Sequence, residues 1–132
     1  MSDDLVKLIS RSTVSVLMLF HGVHKLLDGI EPIKSSVASH HLPLTLSYGV
    51  YLGELAGPLL VLLGFFSRVG GALIVVNMLF ALYLVQLHSL FALNSEGGYA
   101  LETDVFYLIG GLCVILSGAG RYGLGGDTGP LN

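Results

Sequence analysis

The feature that most constrains this chain is the segment Val69–Leu93, whose 25 residues include no aspartate, glutamate, lysine or arginine. A helix of about 20 apolar residues crosses the hydrocarbon core of a bilayer, and core helices of soluble proteins seldom stay apolar for so long. Hydrophobic residues make up 53% of the chain and charged residues only 11%, whereas soluble domains carry about 25% charged residues. The sequence therefore predicts a single transmembrane domain over residues 1–132, in which polar side chains inside the membrane are the candidates for function.

The charge balance and the cysteine count exclude several classes of protein. The net charge of −3 and the absence of a basic cluster argue against nucleic-acid binding. Cys113 is the only cysteine, so the chain forms no internal disulfide and contains no CxxC redox pair. The first residues lack the short apolar core and the small-residue cleavage site of a signal peptide, so we expect the first helix to be retained.

Four apolar segments divide the chain and predict an all-α fold, a membrane four-helix bundle. The expected spans are about residues 5–27, 43–66, 69–91 and 99–118. Ser67 and Arg68 then form a tight turn that makes the second and third spans antiparallel neighbours. The connection Asp28–Leu42 predicts a short interfacial or re-entrant segment between the first two helices. The glycine-rich tail, residues 118–129, is expected to be loosely ordered.

The basic residues predict the orientation of the bundle, because cytoplasmic loops of membrane proteins carry an excess of lysine and arginine. With both termini in the cytoplasm, four basic residues lie inside and two outside. The inner ones are Lys7, Arg11, Arg68 and Arg121, and the outer ones are Lys25 and Lys34. We therefore expect an N-in, C-in topology.

Small residues in the second span indicate how that helix packs. Gly49, Gly53 and Gly57 recur every four residues and place a smooth strip along one face. The strip is either an interface between copies of the chain in a homo-oligomer or a packing surface inside one bundle, and the second interpretation is favoured. Pro58 is expected to kink the helix and to free a backbone carbonyl group.

The ionisable residues of the spans gather in the outer half of the expected bundle. A helix rises about 1.5 Å per residue, which places His21 about 15 Å from Arg11 and Glu54 about 15 Å from Leu44. The residues expected at the outer edge are His88, Glu102 and Asp104. The inner half offers little beyond Asn77. This asymmetry is the strongest indication of a site in the sequence.

Glu54 is the only acidic residue expected near the bilayer midplane, where an unpaired charge costs at least a few kcal/mol. Lys25 or a protonated His21 is the expected partner, because both lie on one face of the first helix. The functional interpretation is a pocket that handles protons or binds an anion, and the structural one is a polar clamp between two spans. The candidate catalytic residues are Glu54 and His21, and the candidate substrate-binding residues are Lys25, His24, His88, Glu102 and Tyr107. No HExxH or similar spacing occurs, so no metal site is expected.

Three segments, in this order along the chain, resemble one known family. HGVHKL at residues 21–26 resembles the family's H-G-x-x-K element, and GELAGPLLVLLGFFSR at residues 53–68 resembles its signature around a glutamate and an arginine. GAGRYGL at residues 118–124 resembles its G-P-G-R-Y-S-L-D ending, with Ala119 in place of the usual proline and Gly123 in place of the usual serine. Together they resemble the DoxX family of small four-helix membrane proteins.

The resemblance implies a location in the bacterial inner membrane and a four-helix bundle. It also implies a link to oxidoreduction, because the family resembles the membrane subunit of thiosulfate:quinone oxidoreductase and some members associate with thiol-stress partners. The positions that the motifs carry over are His21, Gly22, Lys25, Glu54, Arg68 and Arg121. A quinone is the cofactor or substrate that the resemblance suggests.

Two functions compete at this point. The first is a membrane component of a quinone-linked oxidoreductase, which receives electrons from a redox protein partner and uses Glu54, His21 and Lys25 at the quinone head group. The second is a non-enzymatic scaffold that assembles a redox or stress-response complex through the glycine strip and the outer loop. Transport of a small solute is a weaker third hypothesis, since no repeat with paired broken helices is visible.

Overall fold

The computed structural model describes residues 1–86 and 90–132, and within these residues the fold is all-helical without a named strand. Its helices are α1 (Ser2–Asp28), α2 (Glu31–Ser39), α3 (Leu44–Leu63), α4 (Ser67–Ala81) and α5 (Glu102–Ser117). A π-helical turn, Leu82–Gln86, continues α4. The all-α prediction is confirmed, and the predicted segment between the first two long helices is the short helix α2.

Within residues 1–86 and 90–132, three stretches are long and apolar enough to cross a membrane, namely Ser2–Asp28, Leu44–Leu63 and Ser67–Leu84. Large apolar side chains such as Phe20, Phe106 and Leu116 lie exposed on the outside of the helices, where a bilayer would cover them. α5 has 16 residues and is therefore about 24 Å long, a little short of a full span. The fourth span and the bundle that it would complete stay a prediction.

The core is formed where α1, α3, α4 and α5 meet, and its fully buried members are Met18, Val61, Ile74, Met78 and Val114. Glycines bring the helices close together around it. A Cβ atom on Gly71 of α4 would lie 2.9 Å from the carbonyl oxygen of Gly111 of α5. Without a hydrophobic drive between helices in lipid, such close backbone contact is what holds them together.

The glycine strip of α3 packs inside the chain. A Cβ atom on Gly57 would lie 2.9 Å from the carbonyl oxygen of Gly70, and one on Gly53 would overlap the side chain of Asn77. Only Gly49 has open space around it. The homo-oligomer interpretation of the strip is therefore wrong for Gly53 and Gly57, because α4 already covers that face.

The turn between α3 and α4 lies earlier than the sequence suggested. Gly64 follows α3 with a φ of 68°, and the amide of Phe65 donates to the carbonyl of Leu60 at 3.1 Å, which closes the helix in a left-handed glycine cap. Ser67 and Arg68, which were expected to form this turn, are instead the first residues of α4. A glycine at the helix end fixes the turn more strongly than the polar pair that follows it.

The C-terminal tail is ordered against the end of α3, contrary to the prediction of a loose tail. The amides of Leu124 and Gly125 donate to the carbonyls of Leu63 and Gly64 at 3.0 and 2.8 Å. Helix ends leave carbonyl groups without partners, and in an apolar environment these groups need donors from elsewhere in the chain. The tail supplies them.

Arg11 of α1 binds the same helix end. Only 2% of this residue is exposed, and its guanidinium donates to the carbonyls of Val61 and Leu62 at 2.8 and 2.5 Å and to that of Tyr122 at 3.1 Å. A cation beside the C-terminal end of a helix also meets the negative end of the helix dipole. Arg11 therefore ties α1, α3 and the tail together.

Candidate functional site

The site begins with an irregular stretch of α3. This helix starts as a 3-10 turn, Leu44–Tyr48, and contains a π-helical turn, Leu52–Ala56, in its middle. Pro58 lacks an N–H group and therefore cannot donate to the carbonyl of Glu54 four residues earlier, which explains why the regular helix is interrupted just before it. π-Helical turns of this kind are frequent at functional sites. Glu54 lies in the turn and is 4% exposed.

A close crossing of α1 and α3 positions the partner of Glu54. A Cβ atom on Gly22 would overlap the carbonyl oxygen of Glu54 and lie 2.7 Å from a methyl group of Leu55. The two backbones can approach this closely only because residue 22 is glycine. Lys25 lies three residues further along α1, and the crossing therefore brings its side chain to the carboxylate.

Lys25 and Glu54 form an ion pair in the interior. The Lys25 Nζ atom lies 2.6 Å from each carboxylate oxygen of Glu54, and Asn77 of α4 donates from Nδ2 to Oε1 at 3.3 Å. The hydroxyl of Tyr51 donates to the backbone carbonyl of Lys25 at 3.3 Å. Charge-assisted hydrogen bonds of this kind satisfy a carboxylate that is otherwise removed from solvent.

The ion pair lies in the wall of a cavity of about 200 Å³. All four long helices contribute side chains that can form hydrogen bonds, namely His21, Lys25, Ser47, Glu54, Asn77, Thr103, Asp104 and Tyr107. The rings of His21 and Tyr107 meet edge to face, with centroids 5.6 Å apart. Apolar side chains, among them Met18 and Phe80, form the remaining wall. We call this cavity the polar pocket.

Ser47 is the buried hydroxyl of the polar pocket. The residue is 0% exposed, and its Oγ atom has no hydrogen-bond partner among the residues that the structure describes. Buried polar groups are nearly always paired in proteins. A hydroxyl of this kind in a cavity wall is suited to a bound ligand.

Four of the residues that the sequence proposed for a site lie together in the polar pocket: Glu54, His21, Lys25 and Tyr107. His24 does not, because its side chain is 72% exposed and lies 3.0 Å from Asp28 on the outside of α1. Helical spacing alone would place His24 on the face of His21 and Lys25, but its side chain does not line the cavity. Glu102 is exposed in the first turn of α5 and does not line the cavity. His88 lies outside the described residues.

Sequence reasoning missed Asn77, Ser47 and Asp104 as members of this site. Asn77 was assigned to the inner half, whereas it bonds to Glu54. The signal was present, since nine residues place it about 14 Å from Arg68, at nearly the depth assigned to Glu54. Ser47 carried no such signal, because a serine near a helix end is ordinary.

The arrangement can hold a small ligand that accepts hydrogen bonds and can exchange protons with it. An ammonium group, an amide and hydroxyl groups supply donors, while Glu54, His21 and Asp104 can each take up or release a proton. Among the residues that the structure describes, no group of three or more histidine, cysteine, aspartate or glutamate side chains is placed to hold a metal ion.

Comparison with known proteins agrees with the motifs. The family model described as DoxX matches residues 6–87, which include His21, Lys25, Glu54 and Asn77. No curated protein and no solved structure matches the chain significantly. Since the matched region covers more than half of the chain, this protein belongs to the DoxX family.

Proposed function

We propose that this protein is the membrane component of a quinone-linked oxidoreductase system of the bacterial inner membrane. The observation that carries the proposal is the Lys25–Glu54–Asn77 group in the wall of a cavity that also contains His21 and Tyr107. An ion pair that served only as a clamp would need no cavity beside it. Intramembrane ionisable residues that line a cavity are typical of sites for ligands and protons.

The chemistry that the pocket would perform is proton exchange with a quinone head group. Reduction of a quinone to a quinol consumes two electrons and two protons, and the electrons would come from a redox protein partner. Lys25 or His21 would donate a hydrogen bond to a quinone carbonyl, and this bond strengthens as negative charge develops on the oxygen. Glu54 would exchange protons with the reduced oxygen through Lys25.

The proposed topology has four spans, formed by α1, α3, α4 with its continuation, and α5, with both termini in the cytoplasm. Arg11, Arg68 and Arg121 then lie on the inner side, as the distribution of basic residues favours. The polar pocket opens toward the outer half of the membrane, and α2 lies over its outer end, with Ile33 in the cavity wall.

The test is quinone reduction by membranes that contain the variant Glu54→Gln in a strain without the wild-type gene. We expect quinol formation per amount of folded protein to be lost, because glutamine keeps the shape of the side chain but cannot exchange a proton. The matched control is Glu102→Gln, which changes an exposed carboxylate outside the cavity and should retain activity. Wild-type activity in Glu54→Gln would remove the proposal.

The same strains separate an enzyme from a scaffold. Affinity purification in mild detergent should recover the redox partner with wild type and with Glu54→Gln alike. If the partner is recovered and the cellular phenotype of Glu54→Gln is also that of wild type, the scaffold hypothesis replaces the enzymatic one.

A further inference from the structure

A second cavity, of about 230 Å³, lies on the outer surface of the bundle between α3 and α4. Its walls are apolar and consist mainly of Leu46, Gly49, Leu52, Leu73, Val76 and Phe80. Leu52 and Val76 are more than half exposed, so the groove faces outward, where the bilayer would lie. We call this cavity the lateral groove.

The lateral groove adjoins the polar pocket. Leu46, Asn77 and Phe80 line both cavities. Asn77 forms the polar part of the shared wall, since its side chain packs beneath Gly53 and its amide reaches Glu54 at 3.3 Å. An apolar surface that faces lipid is therefore separated from the only buried carboxylate of the described residues by this wall alone.

Two local features suit these neighbouring cavities to a ligand with a polar part and an apolar part. Ser47 adjoins Leu46 in sequence, lines the polar pocket and carries a fully buried hydroxyl group without a partner among the described residues. Gly49 leaves the floor of the groove open, because no atom lies within 4 Å of the place where its Cβ atom would be. A larger residue there would fill the groove without disturbing the packing of the helices.

We infer that the lateral groove binds the single apolar chain of a lipid-borne amphiphile whose polar head occupies the polar pocket. The ligand enters sideways from the bilayer, with its head group reaching Ser47, Asn77 and Lys25 and its chain lying over Gly49. This inference rests on the proposed function for the position of the head group. It adds the class of ligand, which is a molecule with one linear apolar chain, and the residues that select it.

The experiment compares two probes that share a head group and differ in the chain, 2,3-dimethoxy-5-methyl-1,4-benzoquinone and its 6-decyl derivative. Binding is measured by calorimetry with the full chain in lipid nanodiscs. We expect Gly49→Phe to weaken binding of the decyl compound about tenfold or more, because the phenylalanine ring occupies the space of the decyl chain. Binding of the compound without a decyl chain should be unchanged. Because wild type and Gly49→Phe are measured in the same lipid, partition of the probe into the bilayer affects both measurements equally and does not change their ratio.

A control accompanies Gly49→Phe. Leu116→Phe adds a ring to an exposed position on α5 outside both cavities and should bind the decyl compound as wild type does. Equal binding of that compound to Gly49→Phe and to wild type would overturn the inference.

The experiment distinguishes an error in the proposed function from an error in the inference about the lateral groove. If neither quinone binds to wild type, the proposed function fails, and a photoreactive diazirine derivative of decanol then tests the groove alone. Crosslinks on the α3 and α4 peptides that disappear in Gly49→Phe would support the groove. Crosslinks that persist in Gly49→Phe, or that lie elsewhere, would overturn it.

Discussion

At the scale of single residues, two lysine–glutamate ion pairs contribute unequally to the stability of the fold. Lys34 and Glu31 of α2 lie 3.2 Å apart, and 81% of the glutamate side chain is exposed, so solvent screens their attraction and the pair adds little to stability. Lys25 and Glu54 lie 2.6 Å apart with 5% of the glutamate side chain exposed. Removal of one partner there leaves a charge in a place that cannot solvate it.

We therefore expect Lys25→Met to lower the free energy of unfolding by about 3 kcal/mol or more. The matched control is Lys34→Met, which should leave the free energy of unfolding nearly unchanged. Unfolding by sodium dodecyl sulfate in mixed micelles measures both values. The double variant Lys25→Met/Glu54→Gln should recover part of the lost stability, because it removes the unpaired charge. Equal stability of Lys25→Met and Lys34→Met would contradict this account.

At the scale of helices, the position of the site depends on how closely α1 and α3 approach. Gly22 touches the backbone carbonyl of Glu54, whereas Gly49, on the same helix as Glu54, touches nothing within 4 Å at its missing Cβ atom. These two glycines look alike in the sequence. Only the contact at Gly22 sets the distance between Lys25 and the carboxylate.

We expect Gly22→Ala to destabilise the protein by about 1–3 kcal/mol, since overpacking forces two backbones apart. Gly49→Ala should be neutral or should stabilise by up to about 1 kcal/mol, because alanine is the better helix former. The same detergent titration compares the two variants. A neutral Gly22→Ala would show that the helices can separate without strain and would contradict the role given to this crossing.

At the scale of the whole molecule, the two ends of the chain meet at the end of α3. Arg11 of α1 and the tail residues Leu124 and Gly125 all donate to the last carbonyls of α3 or of the turn after it. The polar pocket lies beside the N-terminal half of the same helix. The C-terminal end of α3 is therefore closed by hydrogen bonds, and its N-terminal half keeps the cavity.

Hydrogen exchange tests this closure. We expect the amides of Leu124 and Gly125 to exchange slowly, and those of Asp127 and Thr128, which donate no backbone hydrogen bond within the described part of the chain, to exchange rapidly. Arg11→Met should accelerate exchange at the first pair, because the tail loses the donor to Tyr122. Rapid exchange throughout the wild-type tail would instead return it to the loose state that its glycine content suggested.

The sequence by itself determined that this protein lies in a membrane and which of its polar residues are unusual there. An apolar run without charges can be satisfied only by helices in a membrane, and a carboxylate such as Glu54 stands out there because it needs a partner. Composition and spacing carry that information without knowledge of any contact. The same reasoning found Lys25, His21 and Tyr107.

The tertiary structure alone decided which of these residues meet. Spacing by a regular helical turn fails along α3, because its 3-10 and π-helical turns rotate the side chains that follow them. The crossing at Gly22 then decides which face of α1 reaches Glu54, which includes Lys25 and leaves His24 outside. Asn77 joins the site for the same reason, since the approach of two helices depends on contacts between residues that are far apart in the chain.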